Sequence, residues 1–129
     1  VVSENPTADG LTAEDVKLIT LARGARERIQ APTGVAVRDD MGRTYAAADA
    51  VMPSVTVPAL TLVLGQAWIS GGRHLEAVVI VLVDTDANPD IDFVFDMARD
   101  GTEIIRCAAD GTVLDSTTVA QLRPPTSSS

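Results

Sequence analysis

The spacing of apolar residues changes several times along the chain, and each change predicts an element. Leu18, Leu21, Ala22, Ala25 and Ile29 recur at helical intervals while Arg23, Arg26, Glu27 and Arg28 take the other face, the signature of an amphipathic surface helix. Thr12-Ala13-Glu14-Asp15 reads as a capping box with Asp in place of Glu, with Leu11 and Val16 at the staple positions. Pro32 stops the run. Short apolar alternations then flank Asp40-Met41-Gly42-Arg43 and predict two antiparallel strands joined by a Gly-containing turn.

Residues 55–68, "VTVPALTLVLGQAW", carry almost no polar side chain before Gln66. They predict a buried helix that starts at a proline and ends at Gly71-Gly72. "EAVVIVLVD", residues 76–84, is a continuous β-branched run, which marks a strand covered on both faces and parallel to a neighbour, at the centre of a sheet. A short helix over about Asp92 to Arg99, a second hairpin around Asp110-Gly111 and a last helical turn in "TTVAQL" complete the order α-β-β-α-β-α-β-β-α. Residues 1–10 are polar and turn-rich and residues 124–129 are low in complexity. A single domain over 11–123 with a flexible N-terminus and a disordered tail is the expectation.

Composition narrows the class of function. With 46% apolar but only 3% aromatic residues among 129, the core must be built from Ala, Val, Leu and Ile. Eighteen acidic against ten basic residues give a formal charge of −8 with no basic block, so a phosphate backbone is repelled and nucleic acid is not an expected partner. The longest apolar runs, 57–64 and 78–83, fall far short of the ~20 residues that span a bilayer. No basic-then-apolar leader opens the sequence and a single cysteine makes no internal disulfide, which suits a cytoplasmic protein.

The element order and five stretches of sequence resemble the cytidine deaminase-like superfamily, in particular its homotetrameric-type cytidine and blasticidin deaminases. Leu21-Ala22, Ala25-Arg26, Ala31-Pro32, Val35-Ala36-Val37 and Gly42-Arg43-Thr44-Tyr45 are similar to that family's opening helix, strand and turn. "HLEAVVIVLVDTD" resembles its central strand, and "GTEIIRCAADGTVLDSTTVAQLRP" its closing strands. The resemblance covers roughly residues 15 to 124. It implies a three-layer α/β/α sandwich around a mixed five-stranded sheet, a role in nucleoside metabolism, and a homo-oligomer, dimer or tetramer.

Deaminases of this class need a zinc ion that lowers the pKa of a bound water and a carboxylic acid beside it that shuttles protons. The resemblance implies that the first zinc-site motif, Cys/His-Ala-Glu, falls on Pro58-Ala59-Leu60 and the second, Pro-Cys-x-x-Cys, on Pro89-Asp90-Ile91-Asp92-Phe93. Pro58 then stands for a ligand, Leu60 for the proton shuttle, and Asp90 and Phe93 for the two thiolates. The family's ribose-gripping Asn-x-Glu corresponds to Ala48-Asp49-Ala50, so Ala48 and Ala50 mark a lost clamp. Cys107 and His74 are the only cysteine and histidine, too few for a zinc site with three nitrogen or sulfur ligands. Apolar replacements avoid the ~1–3 kcal/mol cost of each buried unpaired polar group, so the former pocket is expected to be packed core.

Other candidates carry less. The oxygen side chains of Asp84, Asp86, Asn88, Asp90 and Asp92 alternate as in a calcium loop, but Pro89 and Phe95 stand where an EF-hand needs Gly and Glu. A solvated acidic loop with a helix cap at Asp90 or Asp92 is the plainer reading. His74 reads as a surface loop histidine and Cys107 as a core strand cysteine. Leu60, Leu64 and Trp68 on the apolar helix are a candidate subunit interface. The leading expectation is a catalytically inactive deaminase-like protein without cofactor, serving as an oligomeric scaffold or protein-binding module. The alternatives are a zinc-free nucleoside or small-molecule binder, and an active deaminase or other hydrolase with an unrecognised site.

Overall fold

A computed structural model of the chain describes residues 11–122. Residues 1–10 and 123–129, with the expected flexible N-terminus and disordered tail, and the side chain of Phe93 lie outside the described set. Helix α1 (Ala13–Ile29) leads into a hairpin of β1 (Thr33–Asp39) and β2 (Thr44–Ala48). A small ribbon, β3 (Ala50–Val51) with β4 (Thr56–Val57), precedes α2 (Ala59–Ile69). Strand β5 (Leu75–Leu82), a 3₁₀ turn (Asp92–Asp96), β6 (Ala98–Ala108), β7 (Val113–Thr118) and the short α3 (Val119–Leu122) follow.

The main sheet has the order β2-β1-β5-β6-β7. Strand β5 lies at its centre, antiparallel to β1 and parallel to β6, as the uninterrupted β-branched run predicts. Period-two alternation sorts its side chains: Ala77, Val79 and Val81 face α1, while Val78, Ile80 and Leu82 face α2. Ala36 on β1 follows the first set, and Val35 and Val37 the second. The result is a three-layer α/β/α arrangement around a mixed five-stranded sheet.

Small residues on one face set the depth of α1. A Cβ on Gly34 would lie 2.3 Å from the Ala22 carbonyl oxygen, so the helix backbone rests directly on β1. That approach rotates the helix relative to the sequence expectation. Leu18, Ile19, Ala22 and Ala25 are buried, whereas Leu21 and Ile29 are exposed. Thr12 caps the helix through the Asp15 backbone N–H at 3.1 Å, but Asp15 does not complete a capping box. Its carboxylate, 2% exposed, ion-pairs with Arg38 at 3.4 Å, tying α1 to β1.

Three further expectations change. The ribbon β3–β4 interrupts the path from β2 to α2; its two-residue strands are too short to leave a periodic signal. The expected helix over Asp92 to Arg99 is a 3₁₀ turn ending at Asp96, because Ala98 is already paired with Leu75 in the sheet. The last helical segment begins only at Val119, since Thr117 and Thr118 pair with Ile104 and Glu103. Among the described residues no helix is long and apolar enough to cross a membrane.

Candidate functional site

Helix α2 begins at Pro58, which has no side-chain hydrogen bond to offer as a cap. Asp49, from the link between β2 and β3, supplies one instead: its Oδ1 accepts from the Ala59 backbone N–H at 2.7 Å. A carboxylate at a helix N-terminus satisfies an orphan donor and favours the helix dipole. The Asp49 bond ties this helix start to one end of the sheet. Thr33 lies opposite Leu82, and Gly34 opposite Ala48, so the start of β1, the end of β2 and the carboxyl end of β5 share one edge. Crevices outside the carboxyl ends of such strands are the usual ligand sites of open α/β sheets.

A cleft of about 380 Å³ opens there. Val35 and Ile80 form its floor, with Thr33 at the rim. Asp49, Pro58, Ala59 and Leu60 make one wall, and Ala87, Asn88, Pro89 and Asp90 the other. The expectation of a filled, packed core at this place is therefore corrected. Leu60 and Ala59 are indeed buried, but Pro58 and Asp90 are exposed and the loop stands off from the helix. Arg106 on β6 holds it off: one terminal nitrogen pairs with Asp115 at 2.6 Å, and the other donates to the Thr85 and Ala87 carbonyls at 3.3 and 3.2 Å. Asx-type bonds from Asp84 Oδ1 to the Asp86 N–H and from Asp90 Oδ1 to the Asp92 N–H shape the rest of the loop.

Of the four positions at which the family's zinc chemistry is expected, Pro58, Leu60 and Asp90 thus surround one cleft, and Phe93 lies in the 3₁₀ turn just beyond it. Ala48 ends β2 and Ala50 opens β3, flanking Asp49. The donors here do not fit a zinc ion. Pro58 and Leu60 carry no ligating atom, a phenylalanine has none, and the cleft lining holds no histidine or cysteine, only the two carboxylates of Asp49 and Asp90, each with one oxygen on a backbone N–H. Cys107 is buried on the α1 face of the sheet, across from the cleft. His74 is half-buried at the opposite end of β5. No group of three His, Cys, Asp or Glu side chains among the described residues could hold a metal ion, the acidic stretch Asp84 to Asp92 included.

The residues named for subunit contact separate. Leu60 and Leu64 are 3% and 6% exposed within the chain's own core, while Trp68 is half exposed with the Arg73 guanidinium 3.8 Å over its ring. The outer face of α2 instead presents Leu62, Trp68 and Ile69. Sequence reasoning did not find Asp49 or Arg106. Asp49 acts across ten residues and Arg106 across about twenty to the loop, and the proline at the head of α2, which needs a cap from elsewhere, is the one local signal that points to Asp49.

A family model described as cytidine deaminase-like matches residues 11–111. Among solved structures, a cytidine deaminase from Burkholderia pseudomallei superposes with a TM-score of 0.71 at 21% identity, over 84% of this chain and 94% of that one. A cytidine deaminase from Mycobacterium leprae gives 0.66 at 22% identity, over 84% and 96%. A mutant cytidine deaminase from Mycobacterium tuberculosis gives 0.65 at 17%, over 84% and 93%. A search of curated protein sequences returned no match.

Proposed function

The chain belongs to the cytidine deaminase-like family, and we propose that it is a member without zinc hydrolysis whose cleft binds a small molecule. The observation that carries this reading is the pairing of a roughly 380 Å³ cleft with walls of Pro58, Leu60 and two carboxylates already engaged by backbone. A space of this size suits a small organic ligand. No histidine or cysteine lines the cleft to hold a zinc-polarised water, and Leu60 stands where the family resemblance implies the proton shuttle. Cytidine incubated with purified protein should yield no uridine, and protein expressed in zinc-supplemented medium should carry no stoichiometric zinc. Turnover, or one zinc per chain, would overturn the reading.

A second reading, an oligomeric scaffold or protein-binding module, rests on the outer face of α2. Leu62, Trp68 and Ile69 are 36%, 48% and 84% exposed there, beside a groove of about 360 Å³ reaching Asp96 and Met97. Apolar side chains grouped on one helix face favour association. Light scattering tests the self-association: a monomer at micromolar concentration removes it, while a dimer or tetramer supports it and directs attention to this face.

A further inference from the structure

We propose that the cleft takes a small organic cation, a protonated amine or amidinium on an apolar body, and rejects anions such as phosphorylated metabolites; this rests on the binding reading above. Every charged side chain lining the cleft is a carboxylate. Asp49, which caps α2, and Asp90, on the loop after β5, both line it. Neither has an ion-pair partner among the described residues. Asp15, Asp39, Asp40 and Asp115, by contrast, each pair with an arginine.

Each of the two carboxylates holds a backbone N–H with Oδ1, at 2.7 Å for Asp49 and 2.9 Å for Asp90, which fixes its place and leaves Oδ2 to accept from a ligand. Arg106 reaches the loop through the Thr85 and Ala87 carbonyls, and its charge is met by Asp115. It lines the neighbouring groove behind Asn88 and Pro89, not the cleft. Thr33 and Asn88 add neutral polar groups, and Val35, Leu60 and Ile80 provide apolar contact for a ligand body. A whole-chain charge of −8 raises the local concentration of cations further. Two carboxylates without an ion-pair partner among the described residues, Asp49 partly met by the α2 N-terminus and Asp90 on the exposed loop, therefore select by charge as well as by shape.

Benzamidine, benzamide and benzoate have nearly the same shape and differ in charge, so they separate charge from fit. Each is titrated into ¹⁵N-labelled full-length chain at low ionic strength, where screening is weakest, and the amide shifts of Thr33, Asp49, Ala59, Asn88 and Asp90 are followed. Benzamidine is expected to bind at least tenfold more tightly than benzamide, the gain from charge-assisted over neutral hydrogen bonds, and benzoate not to bind. Asp90→Asn, a change at an exposed loop side chain, should reduce the preference, and Asp49→Asn with Asp90→Asn should abolish it. Asparagine keeps the capping oxygen, so α2 is retained. Benzamide or benzoate binding as well as benzamidine would refute the cation while leaving the binding cleft intact. Failure of all three to move those amides would refute the cleft reading and the cation with it.

Discussion

The tight seat of α1 on Gly34 gives a sharp stability prediction. Gly34 on β1 has an ordinary extended backbone, so alanine is conformationally permitted there and only space decides the outcome. The new methyl would sit 2.3 Å from the Ala22 carbonyl oxygen and 2.8 Å from Arg26 Cβ. Carbon contacts are comfortable only near 3.5 Å, so α1 would have to withdraw by about 1 Å. The nearest obstacle is helix backbone, which cannot turn aside, and withdrawal loosens Leu18, Ile19, Ala22 and Ala25 together. Overpacking of this kind costs about 1–3 kcal/mol, and we place Gly34→Ala near the top of that range, less ~0.5 kcal/mol returned by a stiffer unfolded chain. Urea unfolding followed by far-ultraviolet circular dichroism should show the midpoint falling by about 1–2 M. Gly65→Ala, on the exposed face of α2 with no atom within 4 Å of the added carbon, is the control and should gain ~0.5–1 kcal/mol. A Gly34→Ala midpoint equal to the parent's, or shifted with the control's, would refute the close-packed account of α1.

Two carboxyl groups give further outcomes. Asp39 is fully buried and accepts from the Met41 and Arg43 backbone N–H groups at 2.9 Å each, Arg43 Nε at 3.0 Å and the Tyr45 hydroxyl at 3.1 Å. Burial alone would raise its pKa, but the backbone bonds from Arg43 and Met41, the Tyr45 hydroxyl and the Arg43 charge outweigh that and hold it below the usual carboxylate range. Its stabilisation is therefore complete above the ordinary value near 3.8 and lost as pH falls through the lower folded value. Asp39→Ala should cost about 2–4 kcal/mol at neutral pH and remove this share of the acid destabilisation, both measured by denaturant unfolding across pH. Glu103 has the opposite sign: burial, then the charge and hydrogen bond of Asp15, push its carboxyl up against the opposing pull of Arg38. Stability should fall as pH rises through its raised value, so Glu103→Gln should raise the melting temperature at pH 7 by on the order of 1–3 °C, with no gain below pH 4 by calorimetry.

Elements that rest on a local period were legible. Alternation around Gly42, the run through β5 and the Thr12 cap each state their structure within a few residues. The face of α1 was not legible, because Leu21 and Ile19 are equally apolar as letters. Their choice is made by a neighbouring surface of Gly34, Ala36 and Ala77 that no window around the helix contains. Ribbon β3–β4 leaves no pattern because Val51, Met52 and Val55 remain exposed and its bonds are carried by backbone, with Met52 N–H donating to the Val55 carbonyl at 2.9 Å. The cleft's survival was hidden for a similar reason. Apolar letters at Pro58 and Leu60 suggest filling, but whether a space closes depends on the opposite wall. That wall is tied back by Arg106, whose partners Thr85 and Ala87 lie about twenty residues away in sequence.

Asp49 joins the structural and functional readings. A helix headed by Pro58 gains a fixed backbone angle but no side-chain acceptor, leaving the Ala59 N–H to be met from outside. The acceptor that reaches it comes from the link between Ala48 and Ala50, the two positions where the family resemblance implies that ribose contacts are lost. Both flanking residues are alanine, while the residue between them keeps a carboxylate on which the helix start depends. A purely structural account needs only one oxygen there, and asparagine would supply it as well as aspartate. The negative charge adds only the helix-dipole share of about 0.3–1 kcal/mol to the cap, and it lines a cleft in which the other charged residue, Asp90, is also negative. Exchange of Asp49 for Asn thus separates the two roles by design: the cap bond is kept and stability should fall by no more than the charge–dipole share of about 1 kcal/mol, while any selectivity for cations should fall.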